Sequence, residues 1–202
     1  MRRLWPLLKA RLRPAPIDTA AALRAFIEER AALIAQKCAI DYVRGKTGLA
    51  SYALFTEKPF LTALDVCRWE TFAVVLGDLL ILAGGYLRPQ AAGAEARLPD
   101  ALLGLYKAIL ESMPAPQHRA EGWSDLPEAF AQRLKHVAWP ARTLDLADHS
   151  AKRLFDTLPI HISMRKLDEE VVYGAVRFRM VAVNQEMERR LSTADLARQL
   201  LA

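Results

Sequence analysis

Residues 69 to 87, WETFAVVLGDLLILAGGYL, form a long apolar run with an aspartate, Asp78, near its middle. A bilayer span needs about 20 predominantly apolar residues, so the run is close to membrane length. A helix that is apolar on every side is buried either in lipid or at the centre of a bundle. Asp78 separates the two. A carboxylate at mid-span costs about 2.5–3.5 kcal/mol even on the insertion scale. Glu70 also falls in the run, with Asp65, Arg68 and Arg88 beside it. No second long apolar stretch is present to shelter the acid within a bilayer. The sequence therefore predicts a core helix and no transmembrane span.

The rest of the chain fits that reading. Ala, Leu, Arg and Glu predominate over β-branched residues, which favours helix. Asp18 and Thr19 are N-cap candidates for a first helix of about 19–44, in which Leu23, Phe26, Ile27, Leu33, Ile34 and Cys38 recur at helical spacing before Gly45. Pro59 suits the first turn of the next helix, predicted over 59–83 and closed by Gly84-Gly85. Shorter helices follow near 100–112, 125–138 and 143–156. A long one is expected over 164–190, and a last one is capped by Ser192 or Thr193. The expected fold is all-α, a single-domain bundle of about seven helices with three long central ones near 19–44, 59–83 and 164–190. Residues 17–202 form the bundle and residues 1–16 a basic amphipathic N-terminal segment.

That segment holds the net charge. Arg2, Arg3, Lys9, Arg11 and Arg13 lie in residues 1–13 with no acid among them. Removing those five from the 28 basic residues leaves 23, equal to the 23 acidic ones, so the body is neutral and the +5 belongs to the N-terminus. With Trp5, these side chains are the surface-contact candidates. They suit a protein partner or an anionic membrane surface. Nucleic acid is disfavoured, because a nucleic-acid-binding domain spreads its cations over a docking face.

A buried charge needs a partner. On a helical wheel Asp78 shares a face with Val74, Val75, Ile81 and Leu82, and Asp41 shares one with Ile34 and Cys38. In the apolar stretch VVYGAVRFRMVAV, Arg177 shares a side with Tyr173 and Met180. Arg177 is expected to bond Asp78, Asp41 or both, since its planar fork matches a carboxylate. Asp41, Asp78, Arg177 and Tyr173 are thus the candidates for a structural ion pair or a ligand pocket.

Other motifs fail on spacing. Gly45-Lys46-Thr47 lacks the glycine five residues upstream that a phosphate loop requires. Lys46-Thr47-Gly48 and Ser163-Met164-Arg165-Lys166 occur in the reverse of the order used by serine penicillin-recognising enzymes. No histidine follows a glutamate at the di-iron spacing. Asp145 with His149, and His118 with Glu121, are two-ligand sets too sparse for a metal. His161 reads as a turn residue, and Lys152 and Arg153 as surface charge. Trp123, Phe130, Trp139 and Phe155 read as core closure. Cys38 and Cys67 are expected to be buried free thiols.

With no nucleophile, metal or phosphate constellation, the expected function is that of a soluble accessory or adaptor protein binding a protein or a membrane-associated partner. It needs no cofactor or metal and resides in the cytoplasm or peripherally at a membrane. The alternatives are a helical ligand-binding protein or enzyme with a pocket lined by Asp41, Asp78 and Arg177, and nucleic-acid binding through the N-terminal segment.

Overall fold

Thr19 opens the first helix by accepting the Ala22 amide on its side-chain oxygen at 3.1 Å. A computed structural model of the chain describes residues 14–202. Helix α1 spans Ala20–Thr47, and a short turn then leads to α2, Ser51–Leu54. The central helix α3 spans Lys58–Leu87. Helices α4 (Leu98–Ser112), α5 (Asp125–Lys135), α6 (Thr143–Thr157), α7 (Ile162–Arg165), α8 (Glu169–Arg190) and α9 (Thr193–Leu200) complete the bundle. No strand occurs among the described residues. A lone parallel bridge joins Ile17 to Leu191 and ties the start of the bundle to the end of α8.

Helix α3 lies between α1 and α6, and α8 packs mainly on α6. Every position from Val75 to Gly84 is buried, so α3 is covered on all sides as the opening run implied. Leu76, Leu79, Leu80 and Ile81 are fully enclosed, and each contributes about 1.5–3 kcal/mol by leaving water. On α1 the buried Ala31, Ala35, Cys38 and Ala39 keep its ridge shallow and allow a close approach to α3. The segment Lys58–Gln90 is long and apolar enough to cross a membrane, with mean hydropathy 1.6, yet 83% of its most apolar window lies inside the bundle.

Gly84 and Gly85 do not end α3, which continues to Leu87. A Cβ on Gly84 would stand 2.7 Å from the Trp139 ring and 2.8 Å from Leu102. The glycine is there to admit an indole, and the helix needs no break at it. Gly77 does the same for Phe130, which would meet a Cβ at 3.1 Å. The predicted 164–190 helix is two pieces, α7 and α8, joined through Lys166–Asp168. The 125–138 helix ends at Lys135.

Helix α8 buries a single face, formed by Val172, Val176, Met180, Val183 and Met187. Trp123 and Phe130 belong to the core, while Trp139 and Phe155 pack on it partly buried.

Candidate functional site

Two acids on α3 set the polar interior. Glu70 and Asp78 are eight residues apart, a little over two turns, which leaves them within about 80° of each other on the helix. Helix α6 runs antiparallel along that side. It brings His149 and Ser150 to Asp78 and Arg153 to Glu70.

Asp78 is wholly buried. Ser150 donates to its Oδ2 at 2.5 Å. His149 Nδ1 lies 3.1 and 3.2 Å from the two oxygens. Facing a carboxylate, Nδ1 is the ring nitrogen that donates. Arg133, from α5, supplies the compensating charge. One buried acid thereby joins three helices.

Glu70, 6% exposed, is held by Arg119, His118 and Arg153. Arg119 donates through Nε at 2.5 Å and Nη2 at 3.0 Å, a two-pronged grip, and its guanidinium lies over the Trp123 ring at 5.1 Å. His118 Nε2 stands 2.9 Å away. Burial alone would push this carboxyl up. The bonds from Arg119, His118 and Arg153 outweigh it and hold the group down at about 2. The loop 113–124 is thus fastened to the core by its histidine and arginine.

The expected partner of Asp78 is corrected. Arg177 bonds Asp148 through Nε at 2.6 Å and Nη2 at 3.0 Å, and Glu170 at 3.2 Å. It follows Val176, a buried residue, by one position, which swings it about 100° away from the interior face. Tyr173 lies beneath its guanidinium at 5.5 Å. Asp41 is 43% exposed in its side chain, and it pairs with Arg179 at 2.9 Å and Lys37 at 3.2 Å. The four predicted residues therefore do not form one pocket. Arg153, read as surface charge, reaches inward instead, and His118 and His149 bond buried acids. Lys152 does stay outside, paired with Asp156. Arg2, Arg3, Trp5, Lys9, Arg11 and Arg13 lie outside the described residues.

Arg165 is also buried. It donates to the carbonyls of Ile160 at 2.7 Å, Phe155 and Asp156, and so closes the C-terminal end of α6. Among the described residues no three His, Cys, Asp or Glu side chains converge as a metal set would.

A cleft of about 430 Å³ adjoins the Asp78 cluster, lined by Ile81, Arg133, His136, Pro140, Arg142 and Asp145. A solute there would meet Arg133 but not the carboxylate, which is sealed beneath it.

The other feature that stands out is at the surface. Asp168 receives Lys46 at 2.6 Å and the Tyr42 hydroxyl at 2.9 Å, which clamps the end of α1 to the segment before α8. The segment after α1 carries exposed Leu49 and Tyr52, and the segment before α8 carries exposed Ile162, Met164 and Leu167. Leu49 is 87% exposed and Leu167 88%. Exposed Arg44, Lys46 and Lys166 lie within five positions of them along the chain.

No family model matches the chain, and comparison with curated proteins and with solved structures finds no significant match.

Proposed function

We propose that this chain is a helical docking protein that grips a protein partner at the end of the bundle where α1 meets α8. The observation that carries the reading is the exposure of Leu49, Tyr52, Met164 and Leu167 on the two segments that follow α1 and precede α8, the helices that Asp168 clamps together. Large apolar side chains exposed at one end of a bundle mark interaction sites when they gather into a patch. An apolar centre with polar surroundings is the usual anatomy of an interface. With exposed Arg44 and Lys166 near it along the chain, the patch fits an apolar ridge flanked by acidic residues. The interior supports docking over an internal ligand site, because the buried carboxylates of Glu70 and Asp78 are already matched by cations and hydrogen bonds.

The test places a photo-cross-linking amino acid at Leu49, at Leu167 and, as a control, at exposed Glu128 on α5, in the source cell. The same protein adduct at both leucines and none at Glu128 supports the reading. Adducts equally abundant at Glu128 would overturn it. So would capture by phosphatidylserine vesicles with no protein adduct at either leucine.

A further inference from the structure

Among the described residues, one face of α8 is apolar and uncovered. At 100° per residue, positions 171, 174, 178 and 182 fall within about 40° of one line. Val171 is 64% exposed and Phe178 76%, and Gly174 and Ala182 are exposed beside them. Arg177, bonded to Asp148 of α6, edges this line on one side, and Arg179, bonded to Asp41 of α1, edges it on the other.

The way the chain enters the bundle indicates what covers the face. Ile17 donates to the Arg190 carbonyl at 2.8 Å and accepts the Ser192 amide at 2.9 Å, in a parallel bridge to Leu191. Parallel pairing sets the chain at Ile17 in the direction of residues 190–192, so followed backwards it heads toward the N-terminal end of α8. Arg190 Nε donates to the Ala15 carbonyl at 2.9 Å. Helical side chains lean toward the N-terminus of their helix, so Ala15 lies beside the last turn of α8 rather than past it. Residues 1–13 therefore start at the edge of the exposed face, and the chain there points along it.

Their length and composition suit that face. Trp5 precedes Ala15 by ten positions, which span about 15 Å coiled as a helix and about 33 Å extended. Gly174 precedes Arg190 by sixteen positions of α8, about 24 Å and inside that range. On α3, Gly77 and Gly84 each make room for an aromatic ring from elsewhere in the chain. Gly174 leaves the same kind of gap, with nothing within 4 Å of where a Cβ would stand. Exposed Glu170 and Glu188 border one flank of the face. A second copy laid antiparallel would set these two acids against each other, whereas the segment brings Arg2, Arg3, Lys9, Arg11 and Arg13 and no acid. Arg189, on the same line, is a like charge, and it lies at the tethered end. A short tether also holds the segment at an effective concentration in the millimolar range, more than a dilute partner reaches.

We propose that residues 1–13 lie along α8, in the direction of the helix, with Trp5 over Gly174 between Val171 and Phe178 and with Leu8 beside Ala182. This contact goes beyond the docking surface described above and uses a different face.

Cysteine pairing in the full chain tests it, with Leu8→Cys combined with Ala182→Cys or, as a control, with Glu128→Cys on α5. Cys38 and Cys67 are buried and do not compete. Under mild oxidation of dilute protein, the first pair should link within one chain roughly 10-fold faster than the second. Trypsin supplies a second reading, because cleavage after Lys9 and Arg11 requires the segment to be released. Phe178→Ser should speed that cleavage roughly 10-fold, the loss of about 1.4 kcal/mol of contact. Its helical circular dichroism should not change, because the ring is no part of the buried core. Linking that is as fast with Glu128→Cys overturns the proposal, and so do links between two copies in place of links within one. Cleavage that Phe178→Ser leaves unchanged overturns it too.

Discussion

Asp78→Asn removes one charge and almost no volume from the centre of the bundle. The carboxylate accepts from Arg133, His149 and Ser150. A hydrogen bond to a charged group is worth about 1.5–3 kcal/mol, and one between neutral groups about 0.5–1.5. Each of the three bonds therefore loses about 1 kcal/mol on neutralisation. The amide also turns an NH2 toward donors, and Arg133, 28% exposed, recovers only part of its hydration. His149 is half exposed and recovers more, which trims its share. The expected loss is about 2–4 kcal/mol, the lower part of the range for breaking a buried ion pair. Urea unfolding followed by far-ultraviolet circular dichroism measures it. With a denaturant slope of about 2–3 kcal/mol per molar, the midpoint should fall by about 1 M. A loss within about 0.5 kcal/mol, the range of neutral surface changes, would refute the reasoning.

Glu70 makes stability pH-dependent. Its carboxyl drops from 4.5 to about 2 on folding, so its contribution is complete above the unfolded value and is lost as pH falls from about 4.5 toward 2. The shift corresponds to about 3 kcal/mol at neutral pH, and Glu70→Gln should flatten the acid limb of a stability–pH curve. An unchanged limb would count against the cluster. Gly84→Ala should cost about 1–3 kcal/mol by pressing a methyl into Trp139. Gly45→Ala, with open space around it inside α1, should stabilise by about 0.5–1 kcal/mol; calorimetry of the two variants reads both signs. Burial pushes the thiols of Cys38 and Cys67 up to about 11, so neither should react with a thiol reagent until the chain unfolds. Burst labelling of either in the folded protein would contradict that.

Much of the fold was legible because α3 carries its own solution. A run apolar on every side with an acid, Asp78, near its middle demands an enclosing bundle and a cation, and both exist. The identity of the cation was not legible. Arg177 looked eligible because α8 is apolar around it, but wheel position relative to Val176 places it at a flank, where Asp148 takes it. Arg133 sits on the amphipathic α5 among ordinary surface charges, and only the path of α5 across α3 brings it to Asp78. Glu70 had a signal, since it lies eight residues before Asp78 in the same run. Its partners His118 and Arg119 belong to an irregular loop, where spacing carries no information about direction. The glycine pair at 84–85 misled for a related reason, because its neighbour Trp139 is more than fifty positions away in the sequence. The exposure of Val171 and Phe178 on α8 was invisible in sequence, since an apolar stretch reads as interior until its neighbours are known.

The ion pair that α3 makes with α5 neutralises the acid at the centre of the bundle. A double-mutant cycle of Asp78→Asn with Arg133→Gln isolates it, with unfolding free energies measured for all four proteins. A coupling of about 1 kcal/mol or more is expected, the double variant losing less than the sum of the singles. Losses that add within about 0.3–0.5 kcal/mol would mean that Asp78 and Arg133 do not interact in the folded protein.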